Sequence, residues 1–164
     1  MLKQVSIYAE NKKGCLQNIT GLLRENNINI LGSVTNDSAE YGIIRMVVSD
    51  ADKCIEVLKE NGYMCKTSNV LAVECKDEVG ALDNILKTLK DRHINVNYTY
   101  LSFNRETGLP IMVMHADEVN AVENILINNG YKCDYPTCSI CTVIFPGALT
   151  RGTWTARPSG AKSR

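Results

Sequence analysis

From Gln4 to Ala9, the apolar residues Val5, Ile7 and Ala9 alternate with Gln4, Ser6 and Tyr8, a period of two that predicts a strand. After Glu10-Asn11-Lys12-Lys13-Gly14 the period lengthens. Leu16, Ile19, Leu22 and Leu23 fall three and four apart and predict an amphipathic helix with one apolar stripe. That helix is expected to end near Asn27, because asparagine tolerates the left-handed backbone of a helix exit better than most residues. A second strand over 29–35 and a third over 42–48 follow across the polar turn 36–40. Asp50 and Asp52 then open a second helix with apolar Cys54, Ile55 and Leu58, Gly62 stops it, and a last strand starts at Tyr63.

The pattern then repeats. Residues 5–48 set against 71–114 at an offset of 66 give 11 identities in 44 pairs, among them Gly14/Gly80, Leu16/Leu82, Asn18/Asn84, Ile19/Ile85, Leu23/Leu89, Ile28/Ile94, Asn29/Asn95 and Gly42/Gly108. At an offset of 68, Asn61-Gly62-Tyr63 with Cys65 matches Asn129-Gly130-Tyr131 with Cys133. The second copy thus predicts a strand from 69, a helix built on Leu82, Ile85, Leu86 and Leu89 that exits at His93, strands over 95–101 and 109–114, a helix built on Val119, Val122, Ile125 and Leu126, and a strand from Tyr131. Pro110 stands at a strand start, where its missing N–H does least harm.

Each copy therefore reads strand, helix, strand, strand, helix, strand. Right-handed crossovers fold this order into a ferredoxin-like βαββαβ unit, a four-stranded antiparallel sheet with both helices on one face. The expected fold is α+β, with a first unit over 1–68, a second over 69–146 and a tail over 147–164. A unit of about 70 residues is marginal alone, and the copies meet with almost no linker. They are expected to be tightly coupled, as side-by-side sheets or by exchange of edge strands, and to pair further into a homodimer.

Charge changes the picture only at the end. The chain of 164 residues carries 18 basic and 18 acidic side chains. Residues 147–164 hold four of the bases, Arg151, Arg157, Lys162 and Arg164, and no acid, which leaves 14 basic against 18 acidic residues in the body, a balance of −4. An acidic body argues against nucleic acid as a partner. The tail, rich in Gly, Ser, Thr and Pro, reads as disordered and as an addition foreign to the fold, with a functional basic arm as the alternative. No apolar run approaches the ~20 residues of a membrane span and no signal-like stretch opens the chain, so the expected location is the cytoplasm. Seven cysteines, an odd number, are expected to be reduced thiols. Cys138-x-x-Cys141 has no second pair to close a zinc site. No cofactor or metal is expected.

The chemistry lies in the first strand-to-helix loop of each copy, where Asn11-Lys12-Lys13-Gly14 and Asp77-Glu78-Val79-Gly80 both place glycine before the helix. Glycine lets a ligand approach the backbone, and the free N–H groups of a first helical turn attract a carboxylate. An oxygen of Asn11 or Asp77 could take an ammonium, with Asn29 or Asn95 at the start of the second strand, so that both ends of a free α-amino acid would be read. The same residues are equally at home as turn, capping and strand-entry residues.

The string Glu-Asn-Lys-Lys-Gly-Cys-Leu before a helix and Ile-Asn-Ile after it, matched by Lys-Asp-Glu-Val-Gly-Ala-Leu and Ile-Asn-Val in the second copy, resembles the ACT domain, a small regulatory module of amino-acid metabolism. The resemblance covers roughly residues 1–135 and is to proteins made of tandem ACT modules. It implies a ferredoxin-like fold and an effector amino acid bound between paired modules by the glycine loop and the second-strand asparagine. The candidate ligand-binding residues are Asn11, Lys13, Gly14, Cys15 and Asn29 in one copy and Asp77, Val79, Gly80, Ala81 and Asn95 in the other. The proline usual before the glycine is replaced by Lys13 and Val79.

Other users of this topology fit less well. The loops lack the arginine of acylphosphatases and the Cys-x-x-Cys of heavy-metal modules. Tyr98 and Tyr100 share a strand face, as RNA-recognition modules require, but copy one has Gly32 and Val34 there, so they read as packing tyrosines. His93 and His115 lack triad partners and counterparts in the other copy, and catalysis is not expected. The expected function is a non-catalytic amino-acid-binding regulator of a partner such as a metabolic enzyme. The alternative is an interaction subunit with a vestigial ligand site, similar to the small subunits of acetohydroxyacid synthases.

Overall fold

A computed structural model describes residues 1–36, 41–104 and 107–133. The first copy comprises β1 (Leu2–Glu10), α1 (Cys15–Glu25), β2 (Ile30–Asn36), β3 (Tyr41–Val48) and α2 (Ala51–Glu60). One strand, β4 (Met64–Glu74), then runs through the junction between the copies. The second copy continues with α3 (Ala81–Lys90), β5 (Val96–Phe103), β6 (Pro110–Ala116) and α4 (Val119–Asn128).

The sheet order is β2-β3-β1-β4-β6-β5, antiparallel at every paired edge. Residues 64–70 of β4 pair with β1, and residues 71–74 pair with β6. The strands expected on either side of Asn69 are thus one element that closes the first sheet and opens the second. Glu74 also bridges to Lys132, where the second copy's last strand is expected. Its continuation, Cys138, Cys141 and the basic tail lie outside the described residues.

The helix exits follow the expected local chemistry. Asn27 and His93 adopt φ of 56° and 59°, and Gly62 and Gly130 adopt 81° and 84°. Asp50 caps α2 by accepting from the Lys53 N–H at 3.0 Å. The apolar stripes are narrower than expected. Ile19, Leu23, Ile85 and Leu89 are buried, whereas Leu16, Leu82 and Leu86 are exposed, because they stand on the helix flank beside an outer strand rather than over the sheet.

Three apolar clusters result. One lies between α1, α2 and their sheet, and a second between α3, α4 and theirs. The third, with Leu2, Leu31, Val47, Val70, Ala72, Tyr100, Ile111 and Val113, lies between the helix-free sheet faces. The two halves are therefore stacked face to face about the shared strand, rather than side by side. Val70 and Ala72 point into this seam while Leu71 and Val73 point to the second helix layer, so mid-β4 is buried on both faces.

The seam also encloses polar groups. Gln4 is fully buried; its Nε2 donates to Tyr98 Oη at 2.7 Å, and its Oε1 accepts from Tyr100 Oη at 2.9 Å. The Arg45 guanidinium lies 4.2 Å from the Tyr98 ring centroid, and His115 stacks on the same tyrosine at 5.0 Å. The two tyrosines are packing residues of the seam, as their shared face predicts. Where β2 crosses β5, Ser102 Oγ donates to the Leu31 carbonyl at 2.7 Å. No helix among the described residues is long and apolar enough to cross a membrane.

Candidate functional site

The two strand-to-helix loops share one backbone design. Gly14 and Gly80 occupy the N-cap positions of α1 and α3 with φ of 84° and 90°, a left-handed conformation that L side chains rarely adopt. Neither helix start has a side-chain cap, in contrast to Asp50 on α2. A Cβ on either glycine would meet nothing within 4 Å, so the approach to both loops is open. The N–H groups of Cys15 and Ala81 donate to the carbonyls of Lys12 and Glu78 at 3.1 and 3.2 Å, so an anionic group would be received by the first-turn N–H groups that follow them.

A pocket lies beside each loop. The first, about 290 Å³, is walled by Glu10, Asn11 and Lys12 of the loop, Cys15 and Leu16 of α1, Thr35 and Asn36 of β2, and Gly42 and Ile44 of β3. The second, about 420 Å³, is walled by Glu74, Cys75, Lys76 and Glu78, by Ala81 and Asn84 of α3, by Leu109, and by residues 129–132 after α4. Lys12 pairs with Glu10 in the first pocket. In the second, the Glu74 carboxylate has only 14% of its side chain exposed and is held by Lys132 at 3.7 Å and by the Asn104 amide at 2.8 Å. The second pocket is the more ionic, and burial pushes the Cys75 thiol in its wall up from its ordinary pKa.

A sequence model of the ACT domain pair matches residues 1–135. The chain belongs to that family.

Solved structures agree with this ACT pair in fold. Protein BT0572 from Bacteroides thetaiotaomicron is 27% identical, with a TM-score of 0.78 over 87% of this chain and 96% of its own. The ligand-free regulatory subunit of aspartate kinase from Thermus thermophilus is 11% identical, with a TM-score of 0.58 over 77% of this chain and 91% of its own. The corresponding subunit from Thermus flavus is 13% identical, with a TM-score of 0.55 over 78% and 93%. At these identities the two aspartate kinase subunits bear on the fold alone. No curated protein matches the chain in sequence.

The ACT pair brings together some of the sequence-derived candidates and separates others. Asn11 and Cys15 line the first pocket, and Ala81 lines the second. Lys13, Gly14, Asp77, Val79 and Gly80 form the loops beside those walls. Asn29 and Asn95 lie elsewhere. Asn29 exchanges hydrogen bonds with Ser49, N–H to Oγ and carbonyl from N–H, both at 2.9 Å. Ser49 is seven residues along from Gly42 of the pocket wall, ~23 Å at ~3.3 Å per residue. Asn95 donates to Asn97, which donates to Asp117 just past the C-terminal end of β6, whereas Leu109 of the second pocket precedes that strand. Each asparagine thus sits at the opposite end of its sheet from its own loop. Nor is either pocket shared across the seam, since the first draws its walls from residues 9–44 and the second from 74–132.

Thr35, Asn36, Gly42, Glu74, Asn84, Asn129 and Lys132 are wall residues that sequence reasoning missed. Strand register held the signal for some of them, because Ala9 pairs with Gly42 and thereby carries the loop after β1 to the start of β3.

Proposed function

We propose that this ACT pair is a non-catalytic regulatory protein that binds a small free amino acid at its glycine loops and passes the binding to a partner enzyme of amino-acid metabolism. The observation that carries the reading is the twinned arrangement of a left-handed glycine, an uncapped helix start and an adjoining pocket, present in both copies. A carboxylate placed on the first-turn N–H groups gains from the amide donors and from the positive end of the helix dipole. The ammonium then faces Asn11 and Glu10 in one copy and Glu78 with Glu74 in the other. The volumes suit a ligand at the small end of the ~300–1,000 Å³ range of ordinary pockets. Regulatory subunits of aspartate kinase share the fold, which is consistent with a regulatory role. The different walls of the two pockets give the copies different ligand preferences, or leave one of them unused.

Binding acts by differential affinity: the ligand favours whichever packing of the halves holds the loop in its binding form. Titration calorimetry and thermal shift against the twenty free amino acids test the reading. Saturable heat with micromolar to millimolar affinity for one or a few of them is expected, and no heat with no shift for any amino acid rejects it.

A further inference from the structure

The two glycine loops carry opposite charge. At the offset of 66, Glu10-Asn11-Lys12-Lys13 of copy one stands against Lys76-Asp77-Glu78-Val79 of copy two, so the sign reverses at the first and third positions. One acid and two bases leave the first loop positive, and two acids and one base leave the second negative. Pairing sharpens the difference. Glu10 meets Lys12, which leaves Lys13 over, whereas Asp77 and Glu78 are exposed and form no ion pair with the described residues.

The pockets are not equivalent either. The second is the larger, about 420 against about 290 Å³, and it reaches Asn129 to Lys132 after α4, where the first reaches Thr35 and Asn36 at the end of β2. In copy one, Asn18, Asn61 and Tyr63, the equivalents of Asn84, Asn129 and Tyr131, line a separate cavity of about 350 Å³. On this side copy two has an acid that copy one lacks. Glu74 bridges to Lys132 where the equivalent cross-strand pair is Tyr8 and Met64. Lys76 and Lys132 balance Glu74 and Glu78 in the wall by number, but the field inside is negative: burial first, then Asp77 and Glu74, raise the Cys75 thiol. Lys132 stands 3.7 Å from Glu74 with 61% of its side chain in solvent, so it leaves that carboxylate open to a second cation.

Resting on the reading that the glycine loops bind free amino acids, we propose that the second site selects a cationic one, with an ammonium or guanidinium at the end of a long side chain, and that the first site disfavours it. The α-carboxylate lies on the N–H groups of Leu82 and Asp83, the first-turn donors that follow Ala81. The Asp83 carboxylate is already met by Lys87 at 2.6 Å, so it does not repel that end. The α-ammonium faces Glu78, and the side-chain cation crosses the pocket to share Glu74 with Lys132. A long side chain needs the larger of the two volumes. In copy one the same cation would meet Lys13 at the loop and no acid left over from the Glu10 pair. Selectivity of this kind is a difference of two affinities, set by repulsion at one site as much as by attraction at the other.

Titration calorimetry of the full chain with L-lysine, L-arginine, L-glutamate and L-norleucine tests it, norleucine having lysine's carbon skeleton without the ammonium. Lysine or arginine should bind at least about tenfold tighter than norleucine and glutamate, and ~500 mM salt should narrow that ratio relative to ~50 mM. The lysine or arginine heat should survive Cys15→Trp and vanish in Ala81→Trp. Glu78→Gln should cut the preference over norleucine by about threefold or more. Circular dichroism confirms folding, and if Ala81→Trp fails to fold, the norleucine ratio in the wild type and in Glu78→Gln decides. Norleucine binding as tightly as lysine and arginine, or a cationic ligand lost in Cys15→Trp and kept in Ala81→Trp, overturns the inference and leaves amino-acid binding intact. No heat from any of the twenty free amino acids overturns it together with the reading on which it rests.

Discussion

Gln4 of the first copy donates its amide hydrogen to the Tyr98 hydroxyl of the second at 2.7 Å, and the same side chain accepts from Tyr100 at 2.9 Å. One fully buried amide thus satisfies two hydroxyls across the seam, and it also lies within reach of Ser6 and Ser68. Removing one partner of a buried polar set costs more than removing all of it. Gln4→Ala should lower the unfolding free energy by about 2–4 kcal/mol in urea titration. The triple variant Gln4→Leu/Tyr98→Phe/Tyr100→Phe should recover more than half of that loss. A triple variant less stable than Gln4→Ala would show that the two hydroxyls stabilise the seam without Gln4, and that unsatisfied polar groups are not the source of the loss.

The same crossing of sheets leaves little room beside a glycine. A Cβ on Gly32 would stand 3.0 Å from both Cβ and Oγ of Ser102, closer than ordinary contact allows. Gly32→Ala should destabilise the chain by about 1–3 kcal/mol, and adding Ser102→Gly should relieve part of it, since the clash is with that side chain. Thermal melts of the two variants measure both effects.

Pocket filling separates the two loops. Cys15 and Ala81 each line one pocket at the start of a helix. Cys15→Trp should abolish amino-acid-induced thermal stabilisation at the first site and Ala81→Trp at the second. A ligand at a hundred times its dissociation constant stabilises by about 2.7 kcal/mol, an effect easily read as a shift in Tm. If both variants keep the full response, ligand binds elsewhere.

Alkaline pH should weaken the fold. Burial, with smaller contributions from Cys65 and Asp50, pushes the Cys54 thiol from 9.0 up to about 12, and burial likewise pushes Cys133 up to about 11. Tyr100 is raised from 10.0, by burial first and then by Tyr98. In each case the unfolded chain loses its proton first. The folded state is favoured fully below pH ~9, and that advantage falls as pH rises toward the folded values, by less than ~1.4 kcal/mol per pH unit for each group. Urea midpoints should be flat from pH 7 to 8.5 and decline above 9, with Cys54→Ala showing a shallower decline. A midpoint that rises above pH 9 contradicts the assignment.

Much of this architecture was legible because its determinants are local. Left-handed exits at Asn27 and His93, glycine stops at 62 and 130 and the Asp50 cap each depend on a few neighbouring residues. The seam was not legible. Gln4 and Ser6 read as the wet face of a strand, and their burial depends on tyrosines more than ninety residues away. Continuity of β4 was hidden for a related reason: the repeat places a boundary at Asn69, but extended backbone needs no punctuation there. The glycine loops were visible as motifs, and a pocket adjoins each of them. Asn29 and Asn95 were grouped with them as second-strand asparagines and by the family resemblance, whereas β2 runs parallel to β1, so within one copy the start of β2 cannot lie beside the end of β1.

The eleven residues Met64–Glu74 give the duplication a direction it cannot reverse. Two modules strung on a flexible tether could be reshuffled, lost singly or borrowed by other genes. Here any cut between them halves a strand and strips both fragments of an edge, so the pair is inherited whole while the walls of its two pockets are free to diverge.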